Sequence, residues 1–498
     1  MDLHSNYNGH IMNTYNNLEL KPLALLILAL MPLAASAQTS QHFGLGMPAP
    51  LQISDLPASQ FRAKLNTLPA KAQAKALNTL RGLSFTDKDL PYLQVDNTGG
   101  ILYVDSFLPP AAPATALSST AETVPLITAA EAFALHSKKG AKNIIYLDFN
   151  GMDVTGTAWN AGTVTTYKAL AYDLDGSPGT FSPTELNNIA DIWHRVAEDY
   201  MPFNVDVTTK QPKTFGPTVG RILITKNVDK NGVAMPASTA GGVAYVGAWG
   251  DSNYGYYSPA LVYYNNLGSG YPPYVAEAAA HEMGHNQGLS HDGTSTVGYY
   301  AGLGSGYVSW GPIMGVGYYT NVTQWSKGEY PDANQKQDDV AIIATNMGYR
   351  PDDHGKTLTT ATPLVVNAAG TIAATNPETD PFNSNPANKG VIGKLNDVDM
   401  FTFYAGAGAV NITVTPAWDA FYHNNQRGAN LDIKATLYDW NGKVVQAIDP
   451  LDETKAVLSA TVPAGQYYLS VKGVGNSVTP YSTYDSLGQY FIRGTVTP

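Results

Sequence analysis

Cysteine is missing from the sequence altogether. Its absence excludes a disulfide framework, a thiol nucleophile, a cysteine-ligated metal site and any zymogen latch built on a cysteine sulfur. Stability must then come from large apolar cores, from bound metal, or from both. Charge is scarce too, at 14% of residues, and its balance is acidic, 29 Lys and Arg against 40 Asp and Glu giving a formal net charge of −11. Without a clustered basic run the chain cannot release many counterions from a phosphate backbone, which argues against nucleic acid as its partner. Long apolar runs are also rare. The stretch KPLALLILALMPLAASAQ, Lys21 to Gln38, holds an apolar run shorter than the ~20 residues a membrane span needs. A positive residue, the apolar run and then Ala35-Ser36-Ala37 match a secretory leader with its small-residue cleavage site. The expectation is a secreted, extracellular protein with a signal peptide over 1–37, a mature side beginning near Gln38, and no stable membrane anchor after cleavage. The twenty residues before Lys21 are long for a leader, which makes Met12 an alternative start.

What is present reads as several folding units, since 498 residues exceed one ordinary core. Between Gln38 and about His136 Pro- and Ala-rich pieces alternate with short periodic ones. SQFRAKLNTLPAKAQAKALNTLRGL is helix-like and GGILYVDSF strand-like. NIIYLDFNG, 143–151, is an apolar, β-branched strand closed by Asn-Gly. SPTELNNIADIWHRVAEDY then announces a helix: Ser182 caps, Pro183 suits the first helical position and Glu185 completes a capping box. FNVDVTT, GRILITKNV, GGVAYVGAW (241–249) and ALVYYNN (260–266) continue as strands, so the centre reads as an α/β layer structure. From Val391 onward short strands alternate with turns at regular spacing, the pattern of an all-β sandwich.

One stretch concentrates ionisable side chains, HEMGHNQGLSH at 281–291. Tyr274 to Gln287 reads as a helix, so His281 and His285 lie one turn apart and project from one face. Gly288 permits the positive φ that ends a helix, and the chain can swing back to bring His291 in as a third ligand. Three neutral imidazoles leave the fourth tetrahedral position of a zinc ion open for water, the arrangement of catalysis rather than scaffolding. Glu282 can lean over that position and accept a proton from the zinc-bound water, which then attacks a carbonyl carbon; Glu282 afterwards returns the proton to the departing amine. Asp292 is the one nearby candidate for a fourth protein ligand, which would make the site structural instead.

The motif H-E-x-x-H-x-x-G-x-x-H resembles the zinc site of the metzincin clan of metallopeptidases, and Asn286 and Asp292 make it most similar to the reprolysin or adamalysin-like branch. The resemblance covers about 140–350. It implies an α/β metzincin-like zincin domain with zinc on His281, His285 and His291, Glu282 as catalytic base, Gly288 as the bend, and Met314 in a methionine turn beneath the metal. Some metzincins place a tyrosine ligand two residues after that methionine; here the position is Val316, and Tyr318 and Tyr319 are not given the role. In the clan the strand bordering the cleft binds extended substrate, and GGVAYVGAW is its expected equivalent. The tail, in DVDMFTFYAGAG, LYDWNGKVV and VPAGQYYLSVKG, is similar to the bacterial pre-peptidase C-terminal domain, a β-sandwich attached to secreted peptidases.

With the leader at 1–37, these resemblances imply a pro-segment at 38–137, a zinc metallopeptidase catalytic domain at 138–350 and a C-terminal sandwich at 351–498. With no cysteine available, a latch in the pro-segment must use a carboxylate or steric blockage; the sequence does not name the residue. Asp352, Asp353, Asp397 and Asp399 offer oxygens to a structural calcium ion, as do Asp173 and Asp175, against a competing reading as solvated turns. The leading expectation is a secreted zinc-dependent endopeptidase, made as a zymogen and acting on protein or peptide substrates. Its alternatives are an adhesion or matrix-binding protein with a residual zinc domain, and a zinc hydrolase acting on another carbonyl or a glycan.

Overall fold

The computed structural model describes residues 40–106, 108–109, 127–376, 380, 383–417 and 428–498. The leader expected at 1–37 lies outside the described residues, and so does part of the connection that follows Ser106. Among the described residues no helix is long and apolar enough to cross a membrane.

The N-terminal part builds a small core of its own. Strand β1 (His42–Gly44) pairs with β2 (Ser84–Thr86) around helices α1 (Gln60–Thr67) and α2 (Ala70–Gly82). The periodic stretch read as one helical segment is divided at Leu68-Pro69, where proline removes an amide donor and bars the preceding residue from helical backbone angles. Phe43, Leu65, Leu80 and Phe85 pack together with Ile101 and Tyr103, which come from β4 (Ile101–Asp105), itself paired with β3 (Leu93–Val95).

After the short helix α3 (Ala129–Ala132) comes the central layer. Strand β5 (Asn143–Asp148) enters it, and β6 (Met152–Thr155) and β7 (Thr166–Ala169) form a side hairpin. Helix α4 (Pro183–Asp199) follows, with the expected box intact: the Glu185 amide donates to Ser182 Oγ at 3.3 Å, and the Ser182 amide donates to Glu185 Oε2 at 2.7 Å. Then come β8 (Val205–Thr208), β9 (Val219–Thr225), β10 (Gly242–Tyr245), the turn of helix α5 (Tyr254–Tyr257), β11 (Ala260–Tyr263) and helix α6 (Pro272–Gln287). The sheet has seven strands in the order β3-β4-β10-β11-β9-β5-β8. Strands β11, β9, β5 and β8 run parallel, while β10 is antiparallel to β11 on one side and to β4 on the other. Of GGVAYVGAW only 242–245 is strand; Gly247 has φ +63 and the chain turns away there. Helices α4 and α6 pack against each other, joined where the Tyr200 hydroxyl donates to the Ala280 carbonyl at 3.1 Å.

Beyond α7 (Asp339–Met347) the chain is β-rich. One sheet holds 362–363, 399–405, 465–473, 433–439 and 444–448; the other holds 371–372, 488–496, 408–416 and 456–462, with 389–392 also paired to 488–496. Gly408–Pro416 alternates buried and open positions, so one face of the sheet turns inward. Among the described residues seven strands run from 399 to 496, in the alternation of strand and turn expected there.

The β-rich region meets α4 through a buried acid. The Gln489 amide lies 3.2 Å from both carboxylate oxygens of Glu198, and burial pushes Glu198 from its ordinary 4.5 up to about 8. Below pH 4.5 both folded and unfolded chains hold the proton. Between 4.5 and 8 only the unfolded chain ionises, so stability falls as pH rises through that window. Glu198→Gln is therefore expected to be more stable than the parent at pH 8, on the order of 3 kcal/mol, with the gap closing near pH 4.5; urea unfolding at the two pH values checks it.

Candidate metal centre

Helix α6 starts at Pro272-Pro273, positions where an absent amide costs little, and VAEAAA carries it forward with strong helix formers. Every residue from Pro272 to Gln287 is buried, so the histidines sit inside the protein and their ring orientations are fixed by packing. Gly288 ends the helix at φ +101, a left-handed angle that favours glycine.

Each helical histidine has one ring nitrogen committed to a main-chain carbonyl. His281 Nδ1 donates to Ile313 O and His285 Nδ1 donates to Leu289 O, both at 2.8 Å. A carbonyl only accepts, so in the neutral ring each Nε2 is left with its lone pair. Those two Nε2 atoms are buried and have no hydrogen-bond partner among the described residues. The turn after Gly288 brings in the third ring: His281, His285 and His291 have centroids 4.7, 5.3 and 5.0 Å apart pairwise.

A fourth group completes the cluster, and it comes from β4. Asp105 Oδ1 lies 2.8 Å from His291 Nε2, while Oδ2 lies 3.4 Å from His285 Nε2 and 3.7 Å from His281 Nε2. One ligand atom from each of the four residues falls within 4.8 Å of all the others. Burial opposes the charge on Asp105, but the three imidazoles, when protonated, outweigh it and hold the carboxyl well below the usual range. Orphaned ring nitrogens around a buried carboxylate are costly without a partner. Three nitrogens and one oxygen are a donor set that suits zinc, so the residues present fit the ion.

Glu282 is 1% exposed, and its Oε2 has no partner among the described residues. Burial, reinforced by the neighbouring Asp105, raises its pKa well above the ordinary value. Room for this side chain comes from Gly242, where a Cβ would stand 1.9 Å from Glu282 Oε1. Met314 is fully buried under the helix; a Cβ at Gly284 would lie 2.5 Å from its sulfur, which explains the glycine inside the motif. The Met314 carbonyl also accepts the Asp292 amide at 2.8 Å.

Asp292, the fourth-ligand candidate of the sequence, stands outside the histidine cluster. Its carboxyl faces the Tyr330 hydroxyl at 3.5 Å, and burial, aided by Glu329, pushes it up to about 8. The role falls geometrically to Asp105, whose only sequence signal is that the strand-like ILYVD ends in an acid. Sequence reading also missed Tyr299, whose hydroxyl donates to Asp105 Oδ1 at 2.6 Å and whose ring lies 4.3 Å from that of His291. Of the acidic positions, Asp352, Asp397 and Asp399 are brought together, and Asp173 and Asp175 gather with Glu185. The latter group is occupied with turns and caps: Asp173 accepts the Gly176 and Ser177 amides, and Glu185 accepts the Leu174 and Ser182 amides.

Residues 191–292 match the family model described as metallo-peptidase family M12B, reprolysin-like. The metzincin-like resemblance carried by the histidine motif is thereby borne out. Residues 191–292 are thus similar to a metallopeptidase family that uses zinc, and a β-rich region follows α7. No curated protein matches the chain. Among solved structures it is similar to the pre-peptidase C-terminal domain of a collagenase from Bacillus anthracis, at 16% identity over 28% of this chain and 97% of that one, with a TM-score of 0.17.

Proposed function

We propose that this chain is a secreted zinc-dependent endopeptidase that hydrolyses peptide bonds in proteins. One observation carries the reading: three imidazoles whose ring nitrogens gather around one point stand beside Glu282 and next to strand β10, which becomes a sheet edge able to accept an extended peptide when β4 leaves it. His281, His285 and His291 hold the metal, and Gly288 and Met314 keep the rings in place. When bound, zinc lowers the pKa of water to about 7 and polarises the carbonyl under attack. Glu282 takes the proton of the attacking water and passes it to the leaving amine, its side chain standing beside the histidines over Gly242. The backbone of β10 pairs with substrate, and α6 excludes bulk water from below.

The run β10-β11-β9-β5-β8, with antiparallel β10 beside the histidine helix, supports a metzincin-like zincin fold for 138–350. Residues 38–137 are assigned as pro-segment, and 351–498 as a sandwich of the pre-peptidase C-terminal kind on its sequence pattern and its two sheets. Export through the leader at 1–37 belongs to the same proposal, as does calcium at Asp352, Asp397 and Asp399.

Incubating the full chain with casein, with and without a zinc chelator, tests the reading. Digestion that stops on chelation and returns with added zinc is expected; casein left intact by zinc-loaded protein in both precursor and processed form overturns it.

A further inference from the structure

We infer that the C-terminal β-rich region is a working part of the metal centre: residues 429–430 and Asp485 position the segment 310–325, and through Gln324 and Ile313 they fix the ring of His281. The inference rests on the peptidase reading and deepens it by naming positioning residues for that same site, in a region that reads from its sequence as an attached module.

His281 depends on a segment far along the chain. Its Nδ1 donates to the Ile313 carbonyl, a bond that sets the tautomer and the rotation of the ring and so decides where Nε2 points. Ile313 directly follows β12 (Trp310–Pro312), which pairs in parallel with β13 (Val322–Gln324), Trp310 opposite Val322 and Pro312 opposite Gln324. Two strands this short are marginal by themselves.

The C-terminal region adds a third member to the pair. Ala429 bridges to Val322 in parallel; its amide donates to Asn321 O at 3.0 Å, and the Thr323 amide donates to Ala429 O at 3.3 Å. One residue on, the Asn430 carbonyl accepts from Gln324 Nε2 at 2.5 Å, while Gln324 Oε1 accepts from Trp310 Nε1 at 2.8 Å. The same glutamine completes the path through its main chain, because its carbonyl accepts the Ile313 amide at 2.9 Å. Asn430, Gln324, Ile313 and His281 thus form one continuous line from the C-terminal region to a metal ligand.

A second tie reaches the histidine helix itself. The buried Trp325 donates its amide to Asp485 Oδ2 and its indole Nε1 to the Asp199 carbonyl at the end of α4, each at 2.7 Å. Its ring packs on α6 between the two helical ligands, where a Cβ at Gly284 would stand 3.3 Å from it. Without Asp485 the Trp325 amide loses its buried acceptor, and the residue beside Gln324 is free to shift. The seat extends to the start of α7: the Tyr484 hydroxyl donates to Asp338 Oδ1 at 2.6 Å and accepts the Val340 amide at 3.0 Å. A region held by these bonds cannot swing on a linker without releasing the support of His281.

The test follows zinc release from the full chain to excess chelator, in a Glu282→Ala background so that no self-cleavage interferes. Asp485→Ala is expected to speed release about 10-fold, the lower end of what losing a ligand's outer partner costs. Burial pushes the Asp485 carboxyl well above its ordinary pKa, so Asp485→Asn keeps an uncharged group with an acceptor for Trp325 and should return the rate to the parental value. Gln324→Glu keeps the acceptor for Trp310 and loses the donor to Asn430; it is expected to match Asp485→Ala and carries the test should the alanine variant fail to fold. Ile412→Val is the control, since it trims the buried core of the same region away from this line of bonds, and its release rate should stay parental. Parental release from both Asp485→Ala and Gln324→Glu, or equal acceleration by Ile412→Val, overturns the inference even if the chain with Glu282 intact digests peptides. The expected pattern of release in a chain whose Glu282 form cleaves nothing leaves the inference standing and overturns the peptidase reading, and a chain that takes up no zinc in any variant overturns both.

Discussion

Glu282→Ala is expected to lower the rate of casein or peptide cleavage by about 10²- to 10⁴-fold while bound zinc stays near the parental level. The separation of the two effects follows from where the side chain stands. Glu282 follows His281 directly, so it leaves the helix in a different direction from the two ligands; its Oε1 packs over Gly242 and its Oε2 has no partner among the described residues. The hydrogen bonds that orient the two helical histidines run to the carbonyls of Ile313 and Leu289 and not through it. Removing it also removes a buried acid whose ionised form is disfavoured, so folding should not suffer. The readouts are cleavage of a quenched peptide by processed protein and zinc per chain by elemental analysis. Cleavage at the parental rate would show that the proton is carried elsewhere; zinc lost together with activity would make Glu282 a part of the metal's support rather than the base.

Local chemistry was the legible part of this fold. The box at Ser182 and Glu185, the stop at Gly288 and the seven tail strands depend on residues within a few positions of each other. Where the reading slipped, a neighbour or a distant partner decided. Pro69 cut one periodic stretch into two helices, and GGVAYVGAW kept only four residues in register because its chain turns at Gly247. Asp105 lies 186 positions from His291. Nothing in its own segment encodes the antiparallel register that sets it opposite Gly242, so a strand ending in an acid carried no sign of a metal. Gly242 and Gly284 were silent for the same reason: each is required by a side chain that approaches from another element, Glu282 in one case and Met314 in the other.

His285→Ala should lose both metal and activity, and the contrast with Glu282→Ala is what separates ligand from base. His285 is fully buried, its Nε2 faces the cluster and its Nδ1 ties the ring to Leu289 just past the helix end. Without that ring two of the three imidazoles remain, below the three protein ligands of a catalytic zinc site. The Leu289 carbonyl also loses its buried donor, a penalty of roughly 1–3 kcal/mol, and Tyr103 loses the surface it stacks on. Three consequences are expected together: zinc per chain falls to background, peptide cleavage drops below detection, and the unfolding midpoint in urea shifts down in the precursor. Raising the zinc concentration should restore little, because the missing group is a ligand and not merely affinity lost at a distance. A variant that still binds one zinc per chain and cleaves would place the metal away from His285, and the convergence of the three rings would then need another explanation.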